Sequence, residues 1–103
     1  MDELEKVIYI NKLLQIYGEL LTDIQKGIMS DYYEANLSMS EIAEDRKISK
    51  AAVEDAIKKA TEKLQKYENS LQILSKKEEV IELVKKINEQ NKDEIIEEIE
   101  RRL

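Results

Sequence analysis

The stretch Ser38–Lys59, SMSEIAEDRKISKAAVEDAIKK, decides how the rest of the chain is read. Ser38 is followed three residues later by Glu41, just before Ile42 and Ala43. That is a capping box opening a short helix, in which each side chain takes the other's free backbone N–H. A polar break, Asp45-Arg46-Lys47, interrupts the pattern. After Ile48, Ser49 caps a second helix that starts with Ala52 and Val53 on its apolar side. Helix, tight turn, helix is the layout of a helix-turn-helix. Lys47 stands where the end of the first helix favours glycine, so it either takes a left-handed backbone at modest strain or adopts a different turn.

Composition agrees with an all-α chain. Its 103 residues contain no proline, two glycines and 39% charged side chains, with 42% hydrophobic residues in periodic order. This is one domain with one modest core. Cysteine and histidine are both absent, which excludes disulfides, Cys/His zinc sites, thiolate nucleophiles and histidine acid–base catalysis. No calcium-loop spacing or phosphate-cradling glycine loop occurs, and adjacent acids such as Glu97-Glu98 point apart on a helix. The reading therefore names no catalytic, cofactor or metal residue. The acidic start MDELEK and the lack of an apolar run near ~20 residues give neither signal peptide nor membrane span. A cytoplasmic location fits the cysteine usage.

Outward from the motif, apolar spacing predicts a first helix over 4–21, buried on two sides. Thr22 with Gln25 makes a capping box for a second helix running to about Ala35, with Ile24, Ile28 and Tyr32 on one face and Gly27 inside it. Gly27 either permits a close helix crossing or is simply tolerated. The third helix spans about 39–46. The fourth is long: Val53, Ile57, Ala60, Leu64, Tyr67, Leu71 and Leu74 hold a strict heptad spacing. That seam requires an apolar partner, either this chain's own helices or a second copy, so Leu64, Tyr67, Leu71 and Leu74 are the candidate oligomer seam. Ser75 with Glu78 predicts a cap for helix five. After a polar break over Asn88–Asn91, Asn91 with Glu94 predicts one for helix six. Residues 1–75 are thus a helical domain holding the helix-turn-helix at 38–59, and 76–103 are its C-terminal helical extension.

The run from Tyr17 to Tyr67 resembles the YlxM family of small bacterial proteins. The carriers are Tyr17, Leu20-Leu21-Thr22-Asp23 and Gln25, then Tyr32-Tyr33 and Ser38–Glu44, then Ser49, Ala52-Val53, Asp55 and Ile57-Lys58. The helix-turn-helix is also similar, more loosely, to region four of bacterial sigma factors. The resemblance implies an all-helical, cytoplasmic regulatory protein. It ties the chain to the signal recognition particle pathway through gene neighbourhood. This chain departs from the family pattern at Lys47 for glycine, at Lys50-Ala51 for arginine-glutamine, and at Glu54 for an aromatic. Residues 76–103 carry no family signature.

Those departures bear on nucleic acid. Helix four would present Ser49, Lys50, Ala51, Glu54, Lys58 and Lys59, the candidate contact residues. Direct reading of base edges uses paired donors from Arg, Asn or Gln, and only Lys50 approaches that. Glu54 and Asp55 repel phosphate. Residues 22–49 hold six acids and three bases, and 50–75 hold four acids and five bases, so no basic stripe emerges from a chain of net charge −6. Three functions fit. The first is a non-enzymatic regulatory or accessory protein meeting components of the signal recognition particle, protein or RNA. The second is a DNA-binding transcriptional regulator working as a homodimer. The third is a helical protein–protein interaction module. No reading involves a membrane.

Overall fold

The computed structural model describes residues 1–88 and 90–103. Among them the chain forms six α-helices and no strand: α1 Glu3–Tyr17, α2 Asp23–Met29, α3 Met39–Arg46, α4 Lys50–Leu71, α5 Ile73–Lys85 and α6 Lys92–Arg102. The all-α architecture is the one the composition and spacing require. No described helix is long and apolar enough to cross a membrane.

The axis of the fold is α4. It turns Val53, Ile57, Ala60 and Leu64 inward, and α1, α2 and α3 pack around that stripe. Leu13, Tyr17, Ile28, Met29, Ile42, Val53 and Leu64 are fully buried. Burying each large apolar side chain contributes roughly 1.5–3 kcal/mol relative to leaving it exposed. Both predicted capping boxes of the core form, at Thr22/Gln25 and Ser38/Glu41. Asp2, whose carboxylate accepts from the Glu5 N–H at 2.8 Å, caps α1.

Several local expectations fail for physical reasons. The first helix stops at Tyr17, and Gly18–Leu20 tighten into a 3-10 turn that delivers Leu21 extended to the Thr22 cap. Leu20 stays exposed, as does Ile8 within α1, and Ile24 projects to solvent at 66% exposure. Beyond Met29 the second helix widens into a π turn over Ser30–Glu34, closed by the Ala35 N–H on the Ser30 carbonyl at 3.0 Å. The extra residue per turn lets both Tyr32 and Tyr33 pack against the core, edge to face with centroids 4.9 Å apart. Asn11 Nδ2 donates to the Tyr33 carbonyl at 3.2 Å. Asn91 does not cap α6 with its side chain. Its Oδ1 accepts from the Asn88 N–H at 2.7 Å and its Nδ2 donates to the Lys86 carbonyl at 2.8 Å, closing the turn behind it. Glu89 lies outside the described residues.

The largest departure is at the end of α4. Gln72 adopts the left-handed conformation, φ 54° and ψ 30°, and α5 begins at the next residue rather than after Ser75. A helix that starts without a cap leaves orphan N–H groups. Here a buried side chain of α4 takes them. Glu68, 8% exposed, accepts from the Leu74 N–H at 3.0 Å and the Ser75 N–H at 3.1 Å. The Tyr17 hydroxyl donates to the same carboxylate at 2.7 Å and accepts from the Ile73 N–H at 3.2 Å. Ser75 is therefore a first-turn residue, and Glu78 pairs with Lys12 of α1 at 3.3 Å instead of closing a box. The heptad seam is broken at Gln72, so Leu74 reaches the core from α5.

Two outcomes follow from this cluster. Tyr17→Phe removes one donor and is expected to cost about 1 kcal/mol in urea unfolding. Glu68→Ala strands two backbone donors and a phenol, and is expected to cost about 3 kcal/mol, with the double variant less than additive. The second concerns alkali. Burial and donation to Glu68 raise the Tyr17 hydroxyl above its ordinary value of 10.0. A raised folded value means the contribution is whole below the unfolded value and is lost as pH climbs through the folded one. Unfolding free energy should thus fall above about pH 10, and Tyr17→Phe should flatten that part of the profile.

Candidate nucleic-acid interface

The helix-turn-helix is held by its own backbone bonds. Lys47 sits at φ 57° and ψ 43°, left-handed as its place requires. Its N–H reaches the Glu44 carbonyl at 3.3 Å and that of Ile48 reaches Ala43 at 3.1 Å, the crossed pair of a Schellman turn. Ser49 Oγ then accepts from the Ala52 N–H at 3.0 Å and opens α4. Arg46 anchors the motif to α2 and the π turn after it: its Nε donates to Asp31 Oδ2 at 2.9 Å, and its guanidinium lies over Gly27. A Cβ on Gly27 would stand 2.6 Å from Arg46 Nη2, so the glycine serves the close approach of this side chain rather than a helix crossing.

All six predicted contact residues, Ser49, Lys50, Ala51, Glu54, Lys58 and Lys59, are exposed at the start of α4, while Val53, Ile57 and Ala60 face the core. Lys50, Glu54 and Lys58 follow one another at single-turn spacing, so a carboxylate separates two ammonium groups. Lys50 and Lys58 have no ion-pair partner among the described residues, whereas Lys59 Nζ lies 3.0 Å from Asp55 Oδ2. The first turn of α4 contains no acid. Those of α1, α2, α3 and α6 each contain at least one, and α5 has Glu68. The positive end of α4's dipole is thus left uncompensated next to Lys50 and Lys47, a setting that favours an anion.

Further along α4, Lys59, Glu62, Lys63 and Lys66 line a shallow groove with Gln25, whose Oε1 accepts from Lys63 Nζ at 3.1 Å. On the far side of α3, Glu3, Lys6, Tyr32, Tyr33, Asn36 and Glu41 border a cleft of about 440 Å³ with mixed charge. Burial raises the Tyr33 hydroxyl above 10.0 there. Among the described residues no three acidic side chains gather as a metal site.

The candidate oligomer seam does not form one outward stripe. Leu64 and Leu74 are buried in the chain's own core, Tyr67 packs on Tyr17 with centroids 6.0 Å apart, and only Leu71 is largely exposed. The heptad found its partner within the chain. Sequence reasoning missed the Tyr17–Glu68 cluster, because a glutamate among lysines on a charged helix gives no local sign of burial.

Comparison with known proteins extends the earlier resemblance. The family described as "Putative helix-turn-helix protein, YlxM / p13 like" matches residues 4–102, and so takes in α5 and α6 as well as the motif. The UPF0122 protein of Mycoplasma capricolum is 43% identical over 91 residues, 88% of this chain and 80% of that protein. The UPF0122 protein YlxM of Bacillus subtilis is 42% identical over 86 residues, 84% of this chain and 78% of its own length. That of Clostridium acetobutylicum is 36% identical over 109 residues, covering 95% of this chain and 94% of the relative.

The left-handed turn gives a direct test of the motif's geometry. Lys47→Gly removes the Cβ strain and returns some unfolded-state entropy, so a net gain of about 0.5–1 kcal/mol is expected in denaturant melts. Lys47→Val should lose stability by a similar or larger amount.

Proposed function

This chain belongs to the YlxM / p13-like helix-turn-helix family, and from that premise we propose that it is a non-enzymatic, cytoplasmic regulatory protein that holds nucleic acid by its phosphates. The observation that carries the reading is the uncompensated N-terminus of α4 flanked by Lys47, Lys50 and Lys58, all exposed on a capped and anchored turn. Phosphate contacts position a protein without reading sequence. The surface lacks the arginine, asparagine or glutamine needed for paired hydrogen bonds to base edges. Binding is then weak and tolerant of sequence. Ser49 and Ala51 allow close approach, Lys50 and Lys58 meet phosphate, and Glu54 limits affinity.

Glu54 and Asp55 favour a second reading, in which the motif is an accessory surface for the signal recognition particle and meets protein rather than bare duplex. Two carboxylates on the presenting helix lose hydration against phosphate but pair readily with basic side chains.

Anisotropy of a labelled duplex and of a structured RNA separates the two. Three phosphate contacts predict a roughly fortyfold loss of affinity between 50 and 200 mM salt. Lys50→Ala and Lys58→Ala should each weaken binding several-fold on any sequence, and Glu54→Lys should tighten it. No binding of either nucleic acid at low salt, even by Glu54→Lys, sinks the first reading.

A further inference from the structure

Two clefts meet where α1 and the π turn pack between α3 and α4. The first, about 440 Å³, lies between the start of α1 and the cap of α3, with Tyr32 and Tyr33 along it. The second, about 350 Å³, lies between α1 and α4. Lys6 and Tyr33 line both, so the two adjoin as one groove. An irregular backbone makes the opening. The π turn sets two consecutive tyrosines side by side, and Asn36, left-handed at φ 58°, ends that turn before Ser38 caps the next helix. Such π turns recur at functional sites. Val7, Leu37 and Met39 join the two rings as the apolar lining, all five partly exposed. The rim is acidic. Glu3 and Glu41 stand at the first cleft, Glu54 and Glu62 at the second, and the cations lining the groove are Lys6 and Lys58. All six are exposed, and among the described residues none of them is in an ion pair. Four carboxylates against two ammonium groups leave the groove with a net charge of −2.

We propose that this groove seats a basic, amphipathic segment of a partner protein, with its apolar side chains on the tyrosines and its lysines or arginines on the rim carboxylates. Charge selects the occupant. Ammonium and guanidinium groups are attracted both to aromatic faces and to carboxylates. Their long stems lie along apolar walls while the charge reaches the rim. A nucleic-acid strand in the groove would set its phosphates against four carboxylates. A second copy of the chain offers the wrong sign: α6, none of whose residues is buried, carries Asp93, Glu94, Glu97, Glu98 and Glu100 against three bases. Clefts of this size admit a few side chains each, so the fitting partner is a short segment and not a flat domain face.

The groove adjoins the presenting face of α4 and shares Glu54 and Lys58 with it, yet the proposal rests on neither reading of that face. The probe is a labelled peptide of two Leu-Lys-Lys-Leu-Leu-Lys-Leu repeats, and its anisotropy is followed as the full chain is added. Saturable binding is expected, and it should vanish when glutamate replaces every lysine of the peptide. Glu3→Lys with Glu62→Lys should weaken binding at least about tenfold, with helical circular dichroism unchanged because both positions are exposed. Glu97→Lys with Glu100→Lys on α6 makes the same change in net charge and should leave affinity within about twofold, which separates the groove from general attraction to an acidic chain. Tyr32→Ala should weaken binding several-fold. Glu54→Lys should loosen the peptide while tightening a duplex, and Lys58→Ala should shift each the other way, so failure of this site and failure of the nucleic-acid reading give different results. No saturable binding, a glutamate peptide held as well as the lysine one, a groove pair that binds like the original chain, or equal losses in the groove and α6 pairs would each overturn the assignment.

Discussion

The carboxylate of Glu68 is the constraint on which the placement of the tail depends. It sits in the interior where α1, α4 and α5 meet, and it is matched by three donors, two from the backbone of α5 and one from Tyr17. A buried anion is costly when unpaired and useful when fully bonded. Here its bonds replace the missing cap of α5 and fix that helix against α1. Without it the chain would have no reason to turn at Gln72, since the apolar heptad continues through that point. One polar group thus overrides a hydrophobic pattern and converts a stalk into a bend.

The same helix serves both ends of the molecule. Its first two turns are the presenting surface of the helix-turn-helix, its middle is the spine of the core, and its last turn holds Glu68. The caps at Ser38 and Ser49 and the Arg46–Asp31 bond fix the turn to this spine, so the exposed lysines stand on a rigid base. What the surface then does is set by charge. A lysine, a glutamate and a lysine in a row leave this exposed surface with mixed charge, and under the proposed reading the central acid keeps attraction to phosphate modest.

Most of the fold was legible because it is written in short-range chemistry. Ser38 with Glu41, Thr22 with Gln25, and Ser49 each announce a helix within four residues, and each forms the bond its spacing predicts. The left-handed Lys47 was one of two turns the sequence allowed, and the Schellman bonds of Lys47 and Ile48 select it. Two of the misread caps share a cause, a sequence pattern outweighed by another hydrogen bond. Ser75-x-x-Glu78 has the form of a capping box, but Glu68 had already taken the Ser75 N–H. Asn91 has the form of a cap, but its amide closes the preceding turn. The seam through Leu64 and Leu74 called for an apolar partner from this chain or from a second copy, and the chain's own packing buries both residues. The exposed face of the candidate site was legible because helical spacing alone separates Lys50 and Glu54 from Val53 and Ile57.

The single residue between α4 and α5 has a mechanical consequence. A connection of one residue has two soft dihedrals, and the left-handed well that Gln72 occupies is small and isolated. The heading of α5 relative to the core is therefore not a continuum. It takes the value that this well allows, and Tyr17 with Glu68 ties α5 to α1 and α4 in that bent heading.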